Sequence, residues 1–156
     1  MLCVERQIMV TDQEINRFEE VFPLIRRTVG WSAEEFGEKT GVSRQTINNL
    51  ENKKYKLTKL LYSAMRYALE VEIQGHPDET EMLKVILDVF VDNPDKYSKE
   101  TKDKIYKAAN LLSPAIKAKQ TNRKEVSSEW KTVLISLGVI TATAISAILI
   151  GAWRKK

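Results

Sequence analysis

Apolar residues return every three or four positions along most of this chain, the spacing that lines one face of an α-helix. Ile15, Phe18, Val21 and Phe22 form the first stripe, opened by Thr11 and Glu14 as a capping-box pair. Pro23 sits inside that pattern and predicts a kink, or a break into two helices, ahead of a segment from Leu24 to Val29. A short helix over Ala33–Lys39 buries Phe36 and keeps a small residue, Gly37, where another helix comes close. Gly41 supplies the left-handed backbone that turns the chain, and Val42 pins the turn to the core. Ser43 then N-caps a second helix, Arg44–Asn52, with Ile47 and Leu50 on its inner face. From Lys56 to Glu72 the residues Leu57, Leu60, Leu61, Ala64, Tyr67, Ala68 and Val71 are expected to close a helical core.

Gly75-His76-Pro77 is a breaker cluster and the expected domain boundary, with His76 read as a solvated loop residue. Residues 78–92 predict one helix with acids in its first turn and an apolar stripe of Met82, Val85, Ile86, Val89 and Phe90. Asn93-Pro94-Asp95 turns the chain, and Ser98 with Thr101 and Lys102 opens another helix. Its face of Ile105, Ala108, Ala109, Leu111 and Leu112 lasts until Pro114 interrupts it. A hairpin this small cannot bury both stripes within itself, so it either packs on the first domain or pairs with a second copy. Residues 115–131 are polar and basic, as a linker or as a helix continuing into the next segment.

Thr132–Trp153 is 22 residues without a charge. As a helix it would measure roughly 33 Å, about one hydrocarbon thickness. Trp130 and Trp153 bracket it where indoles favour a membrane interface, and Arg154-Lys155-Lys156 come after it. The expected architecture is therefore all-α: a flexible arm (1–10), a helix-turn-helix bundle (11–75), a helical hairpin (78–114), a basic juxtamembrane linker (115–131) and a single transmembrane helix (132–153). Met1–Val10 shows no signal-peptide pattern.

Opposite Ile47 and Leu50, the second short helix carries Arg44, Gln45, Thr46, Asn48 and Asn49, a polar face with little charge. Arg pairs with guanine, and Gln or Asn with adenine, by two hydrogen bonds each. The segment from about Phe22 to Leu69 resembles the phage-repressor (Cro/cI, or XRE-type) helix-turn-helix domains. Arg26, Gly30, Phe36, Gly41, Val42, Ser43, Ile47 and Glu51-Asn52 carry the likeness. The resemblance implies that the Arg44 helix enters the major groove of double-stranded DNA, with Arg44, Gln45 and Asn49 at base-reading positions. It places Ser43, Asn52, Lys53, Lys54 and Lys56 at phosphate-contacting positions, and Arg26 with Glu51 as a structural ion pair. Ala33 stands where the family often has Gln, Gly37 where Ala is usual, and Lys53 where Gly commonly follows Glu-Asn.

Charge changes this picture in one respect. The net charge is +4, yet residues 1–76 hold 11 Lys/Arg against 11 Asp/Glu. DNA binding by this domain must then rest on local clustering of Arg44, Lys53, Lys54, Lys56 and Lys59. One cysteine, Cys3, excludes an internal disulfide, and one histidine far from it leaves no Cys/His metal cluster. Neither a nucleophile elbow, a P-loop nor a dinucleotide turn is present, so neither a cofactor nor enzymatic activity is expected.

These readings predict a membrane-tethered, sequence-specific transcriptional regulator of bacterial or phage type. The N-terminus would lie in the cytoplasm, with DNA and a lipid bilayer as partners and a possible homodimer. Two alternatives remain. One is a membrane-anchored interaction module, as in cell-shape proteins of the RodZ type; the other is a phage or mobile-element immunity protein.

Overall fold

The computed structural model describes residues 10–117 and 123–136, which are mainly helical, with no strand among the described residues. Helix α1 spans Asp12–Val29, α2 Ala33–Thr40, α3 Arg44–Glu51 and α4 Lys59–Gly75. α5 (Glu81–Ile86) runs directly into a π-helical turn, Leu87–Asp92. A 3₁₀ turn, Pro94–Lys96, then leads to α6 (Lys99–Lys117), and α7 covers Arg123–Ser136. The expected arm, but for Val10, lies outside the described residues, and so does the apolar run from residue 137 onward.

α1 is continuous through Pro23, so of the kink or break expected there the break is absent. A proline inside a helix costs about 3 kcal/mol, which packing on both sides of it offsets here. Phe18, Phe22, Leu24 and Ile25 are all buried. Phe18 meets Tyr62 edge-on at 5.1 Å between ring centroids, and Phe22 meets Phe36 in the same way at 5.1 Å. α1 is thus gripped by α2 and α4 around the proline. Its other side packs on α6 and the π-helical turn, in the region where Val89, Ile105, Ala108 and Ala109 of the two predicted stripes are buried. Leu111, assigned to the same stripe, instead faces solvent. The core is one cluster running from Ile15 to Leu134.

α4 lies in a different phase from the one expected. Two stripes interleave along it at helical spacing, and the structure buries Tyr62, Met65, Leu69 and Ile73. Leu60, Tyr67 and Val71 point outward. Polar contacts fix the choice: the Tyr62 hydroxyl donates to Glu14, and Arg66 donates twice to the Asp92 carboxylate, both at 2.9 Å.

Residues 78–92 do not form one α-helix. α5 begins only at Glu81, after Thr80 donates its hydroxyl to the His76 carbonyl at 2.8 Å. Past Ile86 the wider turn keeps Leu87, Val89 and Val91 buried, while Asp88 accepts from Asn93 at 2.6 Å and from the Tyr97 hydroxyl. α6 likewise continues through Pro114 to Lys117.

The largest departure concerns residues 123–136. They form an amphipathic helix that buries Val126, Trp130 and Leu134 against α5 and α6. Arg123 fastens its start, pairing with Glu72 at 2.6 Å and Glu79 at 2.9 Å and donating to the Val29 carbonyl at 3.2 Å. Lys131 pairs with Glu81 at 2.7 Å further along. Trp130 is the largest fully buried side chain among the described residues, so it does not sit at a membrane interface. Thr132–Ser136, expected to open the transmembrane helix, belong to α7. Among the described residues no helix is long and apolar enough to cross a membrane.

Candidate nucleic-acid interface

The geometry of α2 and α3 begins with their caps. Ser32 Oγ accepts from the Glu35 amide at 3.1 Å, and Glu35 Oε2 accepts from the Ser32 amide at 2.7 Å. At the far end of α2, Gly41 is left-handed (φ +81°), and the amides of Gly41 and Val42 both donate to the Gly37 carbonyl, at 2.8 and 2.9 Å. The turn is thereby folded back on Gly37. A Cβ there would lie 2.4 Å from the Val42 carbonyl oxygen, a separation that backbone cannot accept. Ser43 then caps α3, its Oγ accepting from the Thr46 amide at 3.1 Å.

α3 buries Ile47 and Leu50 and turns Arg44 and Gln45 to solvent, with Thr46 and Asn48 half-exposed beside them. Asn49 is different: it is 9% exposed, and its Oδ1 accepts from Gln45 Nε2 at 3.1 Å. Asn49 therefore orients the Gln45 amide from one turn further along. The Ser43 hydroxyl is similarly engaged, lying 3.0 Å from Thr46 Oγ1. Asn48 was not among the base-reading positions expected from the sequence. Its place one turn beyond Arg44 was the available signal, and both line an open cleft of about 480 Å³ with Arg27, Trp31 and Ser32.

Two devices fix α3 in space. Arg26 on α1 forms a two-bond ion pair with Glu51, Nε to Oε1 and Nη2 to Oε2 (3.0 Å), and its Nη1 donates to the Trp31 carbonyl at 3.2 Å. Beyond Glu51 the chain closes in a Schellman motif. The Lys54 amide donates to the Asn49 carbonyl at 2.8 Å and the Lys53 amide to the Leu50 carbonyl at 3.2 Å. Lys53 occupies the left-handed position, φ +57°, that glycine would fill without strain. Asn52, Lys53, Lys54 and Lys56 are exposed along this loop, whose end is held by the Leu57 amide donating to Glu19 at 2.9 Å.

The assembly presents two outward amide- and guanidinium-bearing side chains on a capped helix, followed by three exposed lysines on a constrained loop. Such groups can form paired hydrogen bonds to base edges and charge-assisted bonds to phosphate oxygens. Among the described residues no group of His, Cys, Asp and Glu could hold a metal ion.

Residues 24–74 match the family described as helix-turn-helix, from Leu24 within α1 to Gln74 in α4. No curated protein and no solved structure matches the chain.

Proposed function

With residues 24–74 a helix-turn-helix domain, we propose that the protein is a sequence-specific DNA-binding transcriptional regulator. The outward face of α3 carries this reading. Arg44 offers a bidentate contact to guanine and Gln45 one to adenine, while Asn49 either reads a base or holds Gln45 in register. Ser43, Asn52, Lys53, Lys54 and Lys56 contact phosphates and set the register of α3 in the groove. The domain has no excess positive charge, so its affinity depends on these few contacts and on their salt dependence.

The uncharged run up to Trp153 supports a membrane tether, with the N-terminal body in the cytoplasm. Because α7 takes up Thr132–Ser136, the part left for the bilayer is 137–153, about 26 Å as a helix and near the short limit for a span. On this reading the folded body sits directly against the membrane surface.

Selection from random duplexes, performed on the full chain in detergent, tests the DNA reading. Enrichment of one sequence is expected. Gln45→Ala should cost about 1–3 kcal/mol on that sequence and little on random DNA. Lys54→Ala or Lys56→Ala should weaken binding to every sequence and flatten its salt dependence. Equal affinity for all duplexes would overturn the proposal in favour of a protein-binding module.

A further inference from the structure

Among the described residues Arg26 pairs with Glu51, Arg66 with Asp92, and Arg123 with Glu72 and Glu79. Arg27 is held differently. Its Nη2 donates to Asn110 Oδ1 on α6 at 2.7 Å, across 83 residues of sequence, and no carboxylate among the described residues pairs with it. The Asn110 amide is itself fixed, since its Nδ2 donates to the Tyr106 carbonyl one turn back at 3.1 Å and so turns Oδ1 towards Arg27. A neutral acceptor orients a guanidinium without cancelling its charge, whereas a carboxylate does both. Arg27 lines the cleft that also holds Arg44 and Asn48, beside Ala33, which puts no polar group there. Of the acids on the rim, Glu35 accepts from the Ser32 amide at 2.7 Å, and Glu34 is exposed.

We infer that Arg27 contacts a phosphate of the DNA backbone and that Asn110, outside the helix-turn-helix segment, is its positioning residue. The inference rests on the DNA-binding reading of α3 and adds a contact to it. Arg27 stands at the Arg44 end of α3, and Lys53, Lys54 and Lys56 stand past the other end. The 8 residues of α3 span about 12 Å, close to the width of the major groove. Cations at both ends of the helix can therefore meet the backbones on both sides of the groove. Residues 1–76 hold no excess positive charge, so one more charge-assisted bond is a sizeable share of the total. Because Asn110 belongs to α6, a helix beyond the matched segment sets part of the affinity of the reading face.

Binding of the full chain in detergent to a random duplex, titrated against salt, tests both roles. Arg27→Gln removes the charge but keeps a donor for Asn110. It should lower the slope of log affinity against log salt by roughly 0.9, the share of one phosphate. Asn110→Asp hardly alters side-chain volume but sets a carboxylate against Arg27. It should lower the slope by a similar amount, and the double variant should lose no more than either alone. Asn110→Ala releases the guanidinium without neutralising it. It should keep the slope and weaken binding by roughly threefold to tenfold, the cost of ordering the freed side chain. None of these changes removes a buried apolar group, so melting curves should match the parent's. A slope indifferent to Arg27→Gln, with the parent still binding, would overturn the phosphate contact and leave the DNA reading in place. A slope lowered by Arg27→Gln but not by Asn110→Asp, or additive losses in the double variant, would overturn the role of Asn110. A parent with no salt-dependent binding to any duplex would overturn the DNA reading and this inference together.

Discussion

Arg26 on α1 and Glu51 in the last turn of α3 share two hydrogen bonds across 25 residues of sequence, with side chains only 14% and 17% exposed. The pair ties the outer end of α3 to the central helix of the core. Removing one partner strands the other in a partly dry site. Glu51→Ala should therefore destabilise the full chain by about 3 kcal/mol in denaturant unfolding. Pairing Arg26→Met with Glu51→Leu should recover part of that loss; a melting curve indifferent to Glu51→Ala would show that the pair contributes nothing.

Gly37→Ala is a smaller change with a comparable expected cost. The new methyl would meet the Val42 carbonyl oxygen at 2.4 Å, and that atom belongs to the turn that aims α3. Overpacking of this kind costs about 1–3 kcal/mol. The loss should appear both in stability and in DNA affinity, since the turn must move to relieve the contact. Retention of both would mean that the turn yields without disturbing α3.

Lys53→Gly should separate stability from binding. Lys53 holds a left-handed backbone at φ +57°. Glycine relieves that strain and loses some unfolded-state entropy advantage, for a net gain of about 0.5–1 kcal/mol. The same substitution removes an exposed charge and should lower affinity for all duplexes alike. A protein that becomes less stable would contradict the strain argument.

Alkaline pH should reveal Tyr62 and Tyr97. Burial pushes the Tyr62 hydroxyl above its ordinary value of 10.0, opposed by Arg66 and reinforced by Glu14. Burial likewise raises Tyr97, with the Asp88 hydrogen bond adding to it. The folded protein holds these protons where the unfolded chain releases them. Their contribution to stability is thus complete below pH 10.0 and is lost as pH climbs beyond it. Tyr62→Phe should show a shallower decline in stability above pH 10 than the parent, measured by urea unfolding; identical slopes would exclude Tyr62 as a source.

Trp130 provides a test that separates fold from membrane. Trp130→Ala should cost about 3–5 kcal/mol because the side chain fills the core beneath α7. It should leave membrane association unchanged, whereas deleting residues 137–153 should release the protein from carbonate-washed membranes. Full release caused by Trp130→Ala alone would return this residue to the interface.

The turn from α2 to α3 was legible because each of its requirements is met by a residue with few substitutes: Gly41 for the left-handed bend, Ser43 for the cap, Ile47 and Leu50 for the inner face. The phase of α4 was not, since two apolar stripes share one helix and spacing alone cannot rank them. What ranks them is Glu14 and Asp92, remote in sequence, which capture Tyr62 and Arg66. The break expected as one outcome at Pro23 is absent for a similar reason: a local rule was outweighed by aromatic packing from α2 and α4. α7 was not legible as one helix because its first half, with Val126 and Trp130 one turn apart among charges, read as a polar linker, while Leu134 fell in the uncharged run assigned to a membrane span. Asn49 looked free on a helical wheel, but at its edge the core begins.

The attachment of Arg123 to Glu72, Glu79 and the Val29 carbonyl bears on how portable the helix-turn-helix segment is. In sequence that segment ends near Gln74, well before Arg123. Physically it is closed from outside by α5, the π-helical turn and α6, which supply the other walls of the core around α1. Grafting residues 24–74 alone into another protein would carry over the reading face but leave Phe18 behind and the α6-facing side of α1 bare. The same reasoning restricts cleavage: a cut between α6 and α7 frees nothing until Trp130 and Arg123 let go. What sequence similarity marks off as one module shares a single core with the helices that follow it.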